Sequence, residues 1–297
     1  MRFPIALTLT MALGSLALRG AEAGAKPPSF AVQVTGAGQP IILIPGLASS
    51  GAVWDGEVAH LKDHYQCHVL TLAGFAGQPR IEEPFLETVR NDLAAYIRAN
   101  KLYHPVIVGH SLGGFMALWL GSHDPDLVGP LVIVDALPYL PAVFNPAATV
   151  ENSKAMAEQI RAAMAKGGAD YEKQSEAAIK GMVTGGANFD LVMSWAKTTD
   201  PVASADGMYD MFTHDLRKDV SAIASPTLVL GTWIAYRDND QDTATRGEVE
   251  KNFHSQFANL KNAKIVLADH ARHFIMLDDP QWFYGQVDAF LSATAAK

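Results

Sequence analysis

Gly109-His110-Ser111-Leu112-Gly113 sets a serine between two glycines. The β-rich run Val106-Ile107-Val108 precedes it, and the helix-patterned Phe115-Met116-Ala117-Leu118-Trp119-Leu120 follows. A strand that turns sharply into a helix needs small residues beside the turn, and the serine at its apex is lifted above the sheet. Its hydroxyl then stands at a helix N-terminus, where the dipole favours developing negative charge. Such a nucleophile requires a base. The downstream segment Asp269-His270-Ala271-Arg272-His273-Phe274 offers two histidines. It also requires an acid to orient that base. Asp135 ends the apolar run Leu131-Val132-Ile133-Val134, while Asp238 opens the polar stretch Asp238-Asn239-Asp240-Gln241-Asp242. Either choice keeps the chain order Ser, Asp, His.

Short apolar runs recur at residues 40–44, 68–72, 105–108, 131–134, 227–230 and 264–267, separated by amphipathic helical patterns. That alternation predicts an α/β fold, a mostly parallel central sheet with helices on both faces. Residues 30–34 could open the sheet as a hairpin strand. Several runs end in glycine or aspartate, at Gly46, Gly74, Gly109, Asp135, Gly231 and Asp269. Ligands in such sheets collect outside the carboxyl ends of the strands. Leu86, Val89, Leu93 and Ile97 share one helical face, as do Val249, Phe253, Phe257 and Leu260, and residues 282–291 carry a third stripe. The alternation breaks at residues 139–224, which read as helices punctuated by Gly167-Gly168 and Gly185-Gly186. An insertion that long is expected to be a helical lid rather than a loop.

These residues together resemble the α/β-hydrolase fold family, over nearly all of the chain from about Ser29 onward. Ile41-Ile42-Leu43-Ile44-Pro45-Gly46-Leu47 is similar to the family strand that ends in His-Gly-X, with proline in place of the histidine. The match implies an oxyanion hole formed by the backbone N–H groups of Leu47 and Leu112. Gly74-Phe75-Ala76-Gly77-Gln78-Pro79 resembles the family's loop after the next strand. The family's late histidine is followed by an aromatic, then an acid five residues on and a proline seven on. His273, Phe274, Asp278 and Pro280 fit that register and His270 does not, although Arg272 stands where a glycine is usual. The resemblance therefore implies Ser111 as nucleophile and His273 as base. The family places its acid after either of two strands. Asp135 is favoured because it ends a buried strand, and Asp238 is the alternative.

Two core segments, 29–138 and 225–297, would flank the lid. The expected chemistry is ester hydrolysis through an acyl-enzyme on a small-molecule ester, with no cofactor and no metal implied. Amide or iminopeptidase-like cleavage and carbon–carbon hydrolysis are alternatives on the same triad, and a non-catalytic binding protein of this fold is a third. Met156, Met164, Met182, Met193, Met208 and Met211, with Phe189, Trp195, Tyr209 and Phe212, enrich the insertion in flexible apolar side chains. They tilt the expected substrate toward apolar acyl or aryl esters.

A formal charge of −8 argues against a nucleic-acid or anionic-membrane partner, both of which need a basic patch. Arg2, the apolar residues 5–18 and Ala21-Glu22-Ala23 read as a secretory signal peptide over residues 1–23. The apolar run is too short to span about 30 Å of hydrocarbon. The mature chain is therefore expected to be exported, periplasmic or secreted, and to have no membrane span. The single cysteine, Cys67, excludes an internal disulfide and reads as a buried thiol. His60, His64 and His68 are not expected to share a face, since Lys62-Asp63 should end their helix. They read as surface histidines. The run from Asp238 to Asp242 lacks the glycine and the distal glutamate of a calcium loop.

Overall fold

Three interior strands show why the sequence reads as it does. Every residue of β4 (Val106–His110), β5 (Leu131–Val134) and β6 (Thr227–Thr232) is buried. Strands covered by helices on both faces become unbroken apolar runs instead of alternating ones. The computed structural model describes residues 28–234 and 245–295. The segment read as a signal peptide, residues 1–23, lies outside them, as do Asp238, Asp240 and Asp242.

With β1 (Phe30–Thr35), β2 (Gln39–Ile44), β3 (Tyr65–Leu72) and β7 (Ala263–Ala268), these strands form one seven-stranded sheet in the order β1-β3-β2-β4-β5-β6-β7. All neighbours are parallel except β1 and β3. The fold is thus the α/β-hydrolase arrangement expected from the sequence. The hairpin expectation is corrected. β1 does not pair with its sequence neighbour β2, because β3 and β4 occupy both edges of β2. β1 joins the free edge of β3 instead, with Phe30 opposite Leu72.

On one face of the sheet, α2 (Phe85–Ala99), α3 (Leu112–His123) and α8 (Arg246–Gln256) bury Leu86, Val89, Phe115, Leu118, Val249 and Phe253 in one cluster. On the other, α1 (Asp55–Leu61), α9 (Ile275–Asp278) and α10 (Pro280–Ala295) bury Leu61, Ile275, Met276, Phe283, Val287 and Leu291. The stripe through Phe257 and Leu260 outruns its helix. α8 stops at Gln256, yet both residues are buried in the turn that follows.

The histidine reading is corrected in part. His60 lies near the end of α1, 2.9 Å from Asp288 and stacked on Tyr284. His68 belongs to β3 and is buried, its Nδ1 2.7 Å from the Tyr96 hydroxyl, because the strand begins at Tyr65 and carries it inward. Cys67 is fully buried, and burial followed by the nearby Glu57 pushes its thiol up to about 11. Among the described residues no helix is long and apolar enough to cross a membrane.

Between β5 and β6 the chain forms α4 (Val150–Ala165), α5 (Gly168–Met182), α6 (Gly186–Ala196) and α7 (Pro201–Thr213). A Thr149/Asn152 capping box starts α4, and Asp200 caps α7 ahead of Pro201. The junction of α6 and α7 is bonded to the loop after β3. Gly77 donates to the Thr198 carbonyl at 2.9 Å, and Asp200 donates to the Gly74 carbonyl at 2.7 Å. Of the methionines in this region, Met193 and Met211 are buried, whereas Met156 and Met182 are exposed.

Candidate active site

Ser111 sits between β4 and α3 with φ +53° and ψ −118°, a conformation L-residues seldom adopt. Its amide donates to the Val134 carbonyl at 2.9 Å, which ties the turn to β5. The flanking glycines are required by contact. A β-carbon on Gly109 would lie 2.1 Å from the Gly113 carbonyl oxygen, and one on Gly113 would lie 2.3 Å from that of Ile44. The start of α3 is therefore pressed against the end of β2, beside the turn that carries Leu47. From α7, Gly207 faces the side chains of both implied oxyanion residues. A β-carbon there would approach Leu112 Cδ1 to 2.9 Å and Leu47 Cδ1 to 3.0 Å. Among the described residues no hydrogen bond uses the Leu47 amide. Leu112 is the first residue of α3, where helix amides lack internal acceptors.

Asp135 follows β5 directly, at φ +43°, a region more open to Asp than to most residues. Its amide donates to the Leu230 carbonyl at 2.7 Å, so the neighbouring strand β6 fixes its backbone. The carboxylate accepts from the Thr232 amide at 3.0 Å through Oδ1 and meets His273 Nδ1 at 2.6 Å through Oδ2. A carboxylate accepts, so Nδ1 of His273 carries the proton and Nε2 is left as the basic nitrogen. The Asp135 side chain is 8% exposed and that of His273 20%. The structure thus brings together Asp135 and His273, which are distant in sequence. His270, by contrast, is exposed. Asp238 lies outside the described residues.

Three further residues support this arrangement, and sequence reasoning had assigned none of them a role in it. Thr232 holds Asp135 through its amide, and its hydroxyl donates to the Ala271 carbonyl at 2.5 Å. It thereby pins the loop bearing His273 to the end of β6. His110 is fully buried, its ring 4.5 Å from that of His273 and 4.6 Å from that of Phe274. Its Nε2 donates to the His273 carbonyl at 3.1 Å, and its Nδ1 has no partner among the described residues. Burial, then repulsion from His273, holds its pKa well below the ordinary histidine value, so the ring stays neutral. Asp278 accepts from the Arg272 amide at 2.9 Å, immediately before His273. The only signals in the sequence were adjacency to Ser111 for His110 and the acid-at-five register for Asp278. Thr232 gave none.

A serine on a sharp turn, an imidazole oriented by a buried carboxylate, and two backbone amides are the groups that acyl transfer requires. Residues 41–286 match the sequence model of the alpha/beta hydrolase family. The pimeloyl-[acyl-carrier protein] methyl ester esterase of Vibrio cholerae is 34% identical over 106 residues, which cover 36% of this chain and 40% of that protein. The chain thus spans about 40% of the length of the first curated relatives it matches. The Nitrosomonas europaea protein of the same name is 23% identical over 268 residues, 88% of this chain and 99% of that one. An enol-lactonase from Burkholderia xenovorans LB400 shares the fold, with a TM-score of 0.71 at 18% identity over 89% of this chain and 96% of that one. With the family model covering most of its length, the chain belongs to the alpha/beta hydrolase family.

Proposed function

We propose that this chain is a serine esterase that hydrolyses carboxylic esters through an acyl-enzyme. The observation that carries the reading is the 2.6 Å contact of Asp135 with His273, made after the carboxyl end of β5, next to the strand β4 that leads into the strained Ser111 turn. In this reading Nε2 of His273 takes the Ser111 proton as Oγ attacks the ester carbonyl. The Leu47 and Leu112 amides hold the oxyanion, and two aimed donors matter because losing one typically costs roughly a hundredfold or more. His273 passes the proton to the leaving alcohol. It then deprotonates water, which attacks the acyl-serine, and Ser111 regains its proton as the acid leaves.

Ester specificity is supported by the names of the curated relatives, which are methyl ester esterases. We favour apolar acyl or aryl esters, since α7 places an apolar ceiling over Leu47 and Leu112. Ser111→Ala is the direct test. It should reduce p-nitrophenyl ester turnover by several orders of magnitude and remove labelling by a fluorophosphonate probe, with the fold unchanged. Turnover near wild type in that variant would refute the serine-nucleophile reading.

A further inference from the structure

The loop that carries His273 is held on both sides by the inserted helices. On one side, the Phe274 amide donates to the Met182 carbonyl at the end of α5, at 3.2 Å. On the other, the Arg272 amide donates to Asp278 Oδ2 at 2.9 Å. The second oxygen of the same carboxylate, Oδ1, accepts from the Thr184 amide at 2.9 Å and from Asn188 Nδ2 at 3.1 Å. Asn188 also donates to the Leu277 carbonyl at 3.1 Å, and the Arg272 guanidinium to the Gly181 carbonyl at 3.2 Å. One carboxylate therefore spans the α5–α6 junction and the residue before the base. A simpler use for an acid here would be to cap α10. Asp279 already does that, its side chain accepting from the Trp282 amide at 3.3 Å and its carbonyl from Phe283.

We propose that Asp278 is a positioning residue, tying the α5–α6 junction to the His273 loop so that docking of the inserted helices sets the base against Asp135. This rests on the esterase reading above. The bonds made by Asp135 and His110 fix the imidazole and carbonyl of His273 from the sheet side, and that of Thr232 fixes the Ala271 carbonyl two residues before it. Those from Asp278 and Met182 fix the two flanking amides from the helical side. A base displaced by about 1 Å can cost roughly a hundredfold in rate, so both sides are needed.

The experiment compares Asp278→Asn, Asp278→Glu and Asn188→Ala with wild type by two readouts. One is the split of kcat against KM on a p-nitrophenyl ester. The other is the downfield proton resonance of the His273–Asp135 hydrogen bond. Asp278→Asn turns one acceptor into a donor facing either Arg272 or the junction. It should lower kcat roughly 10- to 100-fold with KM little changed, and broaden or shift the resonance. Asp278→Glu should recover part of both. Asn188→Ala, which deletes the donor to Asp278 Oδ1 and to the Leu277 carbonyl, should lower kcat severalfold and perturb the same resonance, and it decides the matter if Asp278→Asn does not fold. Wild-type kcat and an unmoved resonance in the folded variants would overturn the proposal. The resonance needs no turnover. A wild-type enzyme without ester activity, but with a resonance that these variants disturb, would sink the esterase reading and leave the positioning role standing.

Discussion

Asp135 and Glu57 are both carboxyl groups carried into the interior, and the fold treats them oppositely. Asp135 has both oxygens engaged, one by a backbone amide at the end of β6 and one by His273. Glu57, in α1, is 2% exposed, and neither of its oxygens has a hydrogen-bond partner among the described residues. Burial first, and then the charge of Asp288, raises its pKa to about 8. Loss of water disfavours a carboxylate unless donors replace it. Strand ends supply such donors, since the last residues of β6 have amides with no further strand partner. At Glu57, in the first turn of α1, no donor among the described residues reaches the carboxyl oxygens. The difference shows what separates a buried acid that can orient a base from one that only fills space.

The sharpest way to break that comparison is to remove the charge from Asp135. If it orients His273, Asp135→Asn should lower kcat by about 10⁴, the size of the effect in the serine-protease case. If it were a packing acid like Glu57, the same change would be almost silent. Asp238→Asn, at the alternative position, should cost less than about tenfold. The reverse ranking in steady-state kinetics, with both variants folded, would transfer the acid role to Asp238.

His110 tests how far the support extends. His110→Ala deletes the donor to the His273 carbonyl and leaves a cavity beside two rings. We expect a drop in kcat of roughly tenfold or more and a stability loss of about 2–4 kcal/mol, read by urea denaturation. A stability loss with unchanged kcat would mean that Asp135 and Thr232 suffice to hold the base.

How much of this was legible in the sequence follows from which interactions are local. The strands β4, β5 and β6 announced themselves because total burial leaves an apolar run. The Ser111 turn did so because its close contacts demand glycine at fixed spacing. Asp135 was legible because it ends a strand, and a strand end in such a sheet is a defined place. Thr232 and Asn188 were not legible. Each acts through two hydrogen bonds to residues far along the chain, and a single Thr or Asn carries no pattern. The pairing of β1 with β3 was hidden for the same reason, since the edge left open depends on the order of all the parallel strands. His68 was misplaced by a boundary, three residues of strand that a polar Tyr65-Gln66 start concealed.

The smallest effect on activity, and the one that sharpens the comparison from the other side, belongs to Glu57. Its folded-state pKa of about 8 lies above the ordinary 4.5 of the unfolded chain. Below about pH 4.5 the group is neutral in both states, and the stability associated with its proton is fully present. Between pH 4.5 and 8 the unfolded chain ionises while the folded protein keeps its proton. Stability is therefore lost as pH rises through that window, and it levels off above it. Glu57→Gln removes this slope while keeping the shape of the side chain. The variant and wild type should differ little in their pH trend up to about pH 4.5. By pH 8 the variant should have gained on wild type by a few kcal/mol, with ester turnover unchanged. Thermal melts at matched ionic strength across pH 4 to 9 give the measurement, since every other titrating group is common to both proteins. A difference that stays flat with pH would mean that water or a rearranged side chain solvates the carboxylate. Glu57 would then resemble Asp135 in having its charge satisfied, and the contrast between the two acids would fail.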